Sequence, residues 1–174
     1  MNSCRLVTIC GAFASTVLVL DRGRVVRQEA PLGLLTEASG VAAPEHDLEN
    51  FLPGHVRAHD EGGGVTRVAL EGGGEMTVPL AAAHAPGGAV MLVVRAEDVL
   101  VAMEPPHHLS ARNLFPARVS ACMRAGSDVT LHCTLASGGT GMMVRLTPSA
   151  VDALGIREGG RVWLAIKSHS IRTT

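Results

Sequence analysis

Asn50-Phe51-Leu52-Pro53-Gly54-His55-Val56 returns as Asn113-Leu114-Phe115-Pro116-Ala117-Arg118-Val119, a shift of 63 residues (50 to 113). Three more echoes follow in the same order. Val65-Thr66 matches Val129-Thr130, Val78-Pro79-Leu80 matches Val144-Arg145-Leu146, and Gly87-Gly88-Ala89-Val90 matches Gly159-Gly160-Arg161-Val162. A repeat of this period means two copies of one supersecondary unit. The offset widens towards the end because the second copy carries an insertion, Thr147 to Leu154. That insertion reads as a short helix, with Thr147 at the N-cap, Pro148 at the first helical position and Gly155 closing it. In the last echo, Arg95 falls opposite Lys167.

Around these echoes the chain is short strands separated by glycine-rich turns: Gly62-Gly63-Gly64, Gly72-Gly73-Gly74, Gly87-Gly88, Ser137-Gly138-Gly139 and Gly159-Gly160. Such punctuation predicts a mainly β protein, a small barrel or sandwich, here built from two related β units with one short helix. The triplets are hairpin turns rather than phosphate loops, because they lack the G-x-x-x-x-G-K-[ST] spacing and the one lysine is remote. The core must come from Val, Leu, Ala, Ile and Met, since the 174 residues include no Tyr, three Phe and one Trp.

Several function classes lose support. A net charge of −1 provides no broad field for nucleic acid or anionic lipid, and stacking aromatics are too few for an OB-type nucleic-acid groove. Cys4, Cys10, Cys122 and Cys133 form no C-x-x-C pair, and the eight histidines show no metal-ligand spacing. Buried reduced thiols fit a cytosolic protein. No Ser-His-Asp or paired-carboxylate arrangement stands out, so no enzyme activity is expected. Leu6 to Leu20 is a nearly continuous apolar run that a secretory signal would also show. The preferred reading is a strand, Thr16 to Leu20, turning at Asp21-Arg22-Gly23 into a second strand, Arg24 to Gln28. A short helix-like segment, Pro31 to Thr36, follows.

What chemistry remains belongs to the second copy. Ser110-Ala111-Arg112-Asn113, Thr147 with its helix, and Ile166-Lys167-Ser168 together supply two cations, several hydroxyls and a helix N-terminus. These are the donors that a small tetrahedral oxyanion requires. The first copy has Asp47 and Glu49 where the second has Ser110 and Arg112, and it lacks the capped helix. Each piece alone also has a plain structural reading. The tetrapeptide can simply begin a strand, Thr147-Pro148 can be only a cap, and Lys167 can guard a sheet edge.

Leu109-Ser110-Ala111-Arg112-Asn113, then Leu146-Thr147-Pro148-Ser149, then Val162 to Ser168 closing on Ile-Lys-Ser, resembles the molybdate-binding Mop domain of the TOBE group, over about residues 107–172. The resemblance implies an OB-like barrel in which Ser110, Arg112, Thr147 and Lys167 contact molybdate or tungstate. A hydroxyl that some relatives carry three residues after the threonine is Ala150 here, and Ser149 or Ser168 would substitute. Thr16 to Gln28 looks like the last strands of an ABC-transporter ATPase domain. The order of parts is therefore similar to the C-terminal part of a molybdate importer's ATP-binding subunit. Residues 1–38 would be the remnant of the ATPase domain, 39–47 a linker, 48–106 a first TOBE-like unit and 107–174 the Mop/TOBE molybdate-binding unit. The nucleotide-binding motifs are missing, so no nucleotide cofactor is expected and the chain reads as a truncated or split product. The implied partners are the importer's membrane subunit or a separate ATPase fragment, and a second copy in a homodimer or higher oligomer. The implied place is the cytoplasm, with peripheral attachment to the inner face of the plasma membrane as an option. A docking or dimerisation module without anion binding, and a secreted β-barrel protein, are the alternatives.

Overall fold

The computed structural model describes residues 17–21, 24–29 and 48–174. The helix-like segment Pro31–Thr36, the 39–47 linker with Asp47, and the residues before Val17 lie outside the described residues. Within them, β1 (Val17–Asp21) and β2 (Arg24–Glu29) form an antiparallel hairpin with one register shift between Val19 and Leu20.

The body from residue 48 onward consists of ten strands in two five-stranded antiparallel sheets. The first repeat supplies β3 (Glu49–Asp60), β4 (Val65–Leu70), β5 (Glu75–Pro79), β6 (Ala89–Arg95) and β7 (Leu100–Ala102). The second supplies β8 (Asn113–Ala125), β9 (Asp128–Leu135), β10 (Gly141–Leu146), β11 (Arg161–Ile166) and β12 (Ile171–Thr173). β9 buries every second residue, as a strand with one core face must. Val68, Met76, Val78 and Leu92 from one sheet meet Val119, Leu131, Val144 and Leu164 from the other in one continuous core. Valine, leucine and methionine fill it, as the shortage of aromatics requires.

The repeat extends to irregularities. β3 bulges between Val56 and Ala58, and β8 bulges between Val119 and Ala121, the same place in each copy. A bulge adds local twist and lets a long strand curl around a small barrel. The insertion folds as α1 (Pro148–Leu154), with the Thr147 hydroxyl accepting from the Ala150 N–H and Gly155 in the left-handed conformation at φ 62°. Val151 buries against the core from this helix.

The last strand of each repeat crosses over. β7 pairs with β11 in the second sheet, and β12 pairs with β6 in the first. Short 3₁₀ turns at Ala96–Asp98 and Ser168–Ser170 redirect the chain for each crossing. Neither sheet is therefore completed by its own repeat.

Two asparagines close the structure. β5 and β10 are edge strands, one in each sheet, with β12 and β7 at the opposite edges. The Asn113 side chain donates to Thr77 O (2.9 Å) and accepts from Thr77 N (2.7 Å) on β5. Asn50 makes the same pair of bonds to Met143 on β10, at 2.9 and 2.6 Å. Each amide also reaches the facing strand of its own sheet, Asn113 to Ile166 O and Asn50 to Val94 O, both at 3.3 Å. A carboxamide carries a donor and an acceptor side by side, as a peptide unit does, so each asparagine acts as a strand residue for the opposite sheet. The two glycine-rich turns also meet, and a Cβ on Gly73 would stand 2.6 Å from Ser137 O. Glycine is required there by contact as well as by its φ of 93°.

Asn113→Leu should cost roughly 3 kcal/mol, since it strands the N–H and C=O of Thr77 in a closed site. The shift of the urea midpoint at constant m-value measures it, and Asn50→Leu should match it.

Candidate functional site

The β8–β11 ladder ends at the pair Asn113–Ile166, both buried. Arg112 and Ala111 are the residues just outside this pair on the β8 side, and Lys167 and Ser168 those on the β11 side, where Ser168 opens a 3₁₀ turn. The buried Asn113 amide, bound to Ile166 O and to Thr77, fixes this end of the sheet against the end of β5. Ser110, Arg112 and Lys167 are exposed, and Ala111 is buried.

The electrostatics of this end are unusual. Two cations flank the last rung, Arg112 next to Asn113 and Lys167 next to Ile166, and like charges at one end of a sheet repel. The side chains of Arg112 and Lys167 make no hydrogen bond or ion pair among the described residues. Behind them the Ser168 hydroxyl is buried and has no hydrogen-bond partner. A stranded buried hydroxyl costs roughly 1–3 kcal/mol. The corresponding residue of the first repeat is Ala96, fully buried and free of that cost.

The equivalent end of the first repeat is compensated. There Glu49 lies opposite Arg95, an attractive pair in the place of Arg112 and Lys167. Glu49 also pairs with Arg172, and Arg95 with Glu97 at 2.6 Å. Arg145 joins Glu97 (3.8 Å) to Asp128 (2.8 Å). This end carries no surplus positive charge for an external anion.

Of the five residues expected to form the site, Ser110 and Arg112 precede Asn113 at the start of β8, and Lys167 and Ser168 follow Ile166 at the paired end of β11. Thr147 stands elsewhere. Leu146 pairs with Val129, and Val129 with Arg124, eleven residues along β8 from Asn113 (113 to 124). Thr147 therefore sits at the far end of its own sheet, beside the compensated cluster around Arg145. Its hydroxyl is engaged in capping α1 at 3.3 Å, and that helix has seven residues. Sequence order suggested one cluster because all five residues lie in one repeat, whereas the crossed-over strands set β5 beside the 3₁₀ turn Ser168–Ser170. The repeat places Ala81 after β5, in the position of Thr147. Asn113 is a supporting residue that sequence reasoning left without a role, although its echo in Asn50 was a visible signal.

Other chemistries find little support. Among the described residues no three His, Cys, Asp or Glu side chains converge on a metal position. Burial pushes the Cys133 thiol up to about 11, so at neutral pH it stays protonated and unreactive. Among the described residues no helix is long and apolar enough to cross a membrane.

Residues 109–172 match the family model described as the TOBE domain. Over 158 residues the chain is 30% identical to the molybdenum import ATP-binding protein ModC 1 of Azotobacter vinelandii, covering 91% of this chain and 43% of that protein. It is 34% identical over 164 residues to the ModC protein of Paramagnetospirillum magneticum, again covering 91% and 43%. The chain thus spans less than half the length of these relatives. The cytoplasmic molybdate-binding protein ModG, solved with molybdate bound, superposes with a TM-score of 0.61 at 26% identity, covering 71% of this chain and 94% of that one.

Thr147→Ala should lower stability by about 1 kcal/mol through loss of the helix cap, read as a shift in the thermal midpoint. In the same preparation, mass mapping after thiol labelling at pH 8 should find Cys133 unmodified until denaturant is added.

Proposed function

Residues 109–172 are a TOBE domain, in a chain similar over nine-tenths of its length to part of the molybdenum import ATP-binding proteins, and from that premise we propose that this chain binds molybdate or tungstate as a regulatory module of molybdate import. The observation that carries this reading is the like-charged pair Arg112–Lys167 backed by the unpartnered Ser168 hydroxyl. A tetrahedral dianion relieves the repulsion and satisfies the hydroxyl in one step. Arg112 supplies a forked pair of N–H donors, Lys167 a point charge, and Ser110 and Ser168 neutral O–H donors.

Charge-assisted bonds contribute roughly 1.5–3 kcal/mol each. Two of these with two neutral bonds support affinity of about micromolar order after desolvation. Thr147 would add its hydroxyl from a second chain, which makes the fifth residue an intermolecular one and favours a homodimer or higher oligomer. The partner would be the importer's membrane subunit or a separate ATPase fragment, at the cytoplasmic face of the membrane. The chain would act by binding rather than by hydrolysing ATP.

Isothermal titration with molybdate, tungstate and sulfate tests this. Molybdate and tungstate should bind, and Arg112→Ala and Lys167→Ala should each weaken binding about tenfold or more. Arg95→Ala should leave affinity within about twofold, because its counterions are internal. Thr147→Ala should weaken binding only in an oligomer. Absence of heat with all three anions at millimolar concentration would leave a structural docking module instead.

A further inference from the structure

β11 buries Val162, Leu164 and Ile166 in the core, so Trp163 and Ala165 stand on the outer face of the second sheet. By the same alternation, Leu114 and Pro116 of β8 and Leu100 and Ala102 of β7 share that face. The ladders set these residues in two rows, Leu100–Ala165–Leu114 and Ala102–Trp163–Pro116. An antiparallel sheet with one face in the core usually carries polar residues on the other, yet all six positions here are apolar. Leu100 is 57% exposed, Pro116 is exposed, and Leu114, Ala102 and Trp163 are half-buried.

The first sheet shows the contrast. Its equivalent rows are Arg172–Val93–Phe51 and Thr174–Met91–Pro53. There the edge strand β12 brings a cation and a hydroxyl. Charge on an edge strand discourages association with another chain, and Leu100 stands in the place of Arg172. Of the four edge strands of the two sheets, β7 alone carries no charged residue.

The charges around the face decide what covers it. Arg118 and Arg161 oppose each other in the next outward row, and both are exposed. Glu104 lies two residues beyond β7 at the same end. None of these three side chains has an ion pair among the described residues. We propose that this face is an interface between two copies of the chain, related by a two-fold axis that runs along the strands over Trp163. Such an axis lays β7 of each copy on β8 of the other, as in the aligned packing of two sheets. Leu100 and Ala102 then cover Leu114 and Pro116 of the second copy, and Glu104 meets its Arg118, twice by symmetry. Arg161 meets its own counterpart at the rim, where solvent screens the pair. A two-fold axis across the strands would instead lay Arg118 and Arg161 over the Arg112–Lys167 end and bring cations together. The pairing needs no oxyanion, and it is separate from the contact that would carry Thr147 to a second chain.

Sedimentation equilibrium of the full chain without molybdate tests this interface. Over loadings of about 10–200 micromolar the chain should pass from monomer to dimer, since a small interface associates weakly. The emission of Trp163, the one tryptophan, should shift to the red on dilution as the ring is uncovered. Leu100→Arg, which copies the residue at the equivalent edge of the other sheet, should raise the dissociation constant about tenfold or more. Glu104→Arg should raise it about fivefold, and adding Arg118→Glu should restore it. A monomer at every loading overturns the inference, as does a dimer whose strength Leu100→Arg leaves unchanged. If Leu100→Arg fails to fold, a charge swap at 104 and 118 without rescue overturns it instead.

Discussion

Two buried side chains, Asn50 and Asn113, hold the barrel in its form. A small two-sheet barrel has open edges, and each unpaired N–H or C=O at a closed edge carries the full cost of lost hydration. Here β5 and β10 are one edge of each sheet, and each is met by an asparagine from the opposite sheet that supplies both a donor and an acceptor. The bond is reciprocal because the sequence is repeated. One residue type at one register position does the same task twice, with partners exchanged. The strand crossovers depend on this arrangement, since β7 and β12 complete sheets that their own repeats do not finish.

The asparagines also set the functional end. Asn113 is the last residue of the ladder and fixes its final rung, so the residues just outside it, Arg112 and Lys167, are displayed in a defined place. In the first repeat the corresponding residues are Glu49 and Arg95. A single change of sign at one position converts an internally neutral end into one with a surplus of two positive charges. Duplication provided two equivalent ends, and the charges then diverged. One end became self-contained through Glu97, Arg145 and Asp128, and the other was left with donors only.

Much of this was legible in the sequence. The repeat, the mainly β architecture, the helix with its Thr147 and Gly155 caps, and the glycine turns all follow from local patterns, because turns, caps and strand alternation are short-range. Ser110, Arg112, Lys167 and Ser168 were also legible as the flanks of one strand pair, β8 and β11, because they adjoin its end in sequence. Thr147 was misplaced within the chain. Its distance from Lys167 depends on which strand pairs with which, and no local pattern encodes a strand crossing to another sheet. The unpartnered state of Ser168 was invisible for the same reason: burial and hydrogen bonding of one hydroxyl are properties of the packed whole.

The sequence by itself determined the composition of the parts: two copies of one strand unit, a core of branched aliphatics, a capped helix in one copy, and a set of anion-seeking side chains in the same copy. Those features are fixed by propensity, periodicity and side-chain chemistry, which act over a few residues. The tertiary structure alone decided which parts meet. By exchanging the last strands and tying edges with asparagines, it brought β5, rather than the helix that Thr147 caps, beside the turn that follows Lys167. It also buried Ser168 without a partner and gave one end a complete set of counterions. Long-range pairing made those choices because only the closed barrel satisfies the β5 and β10 edges.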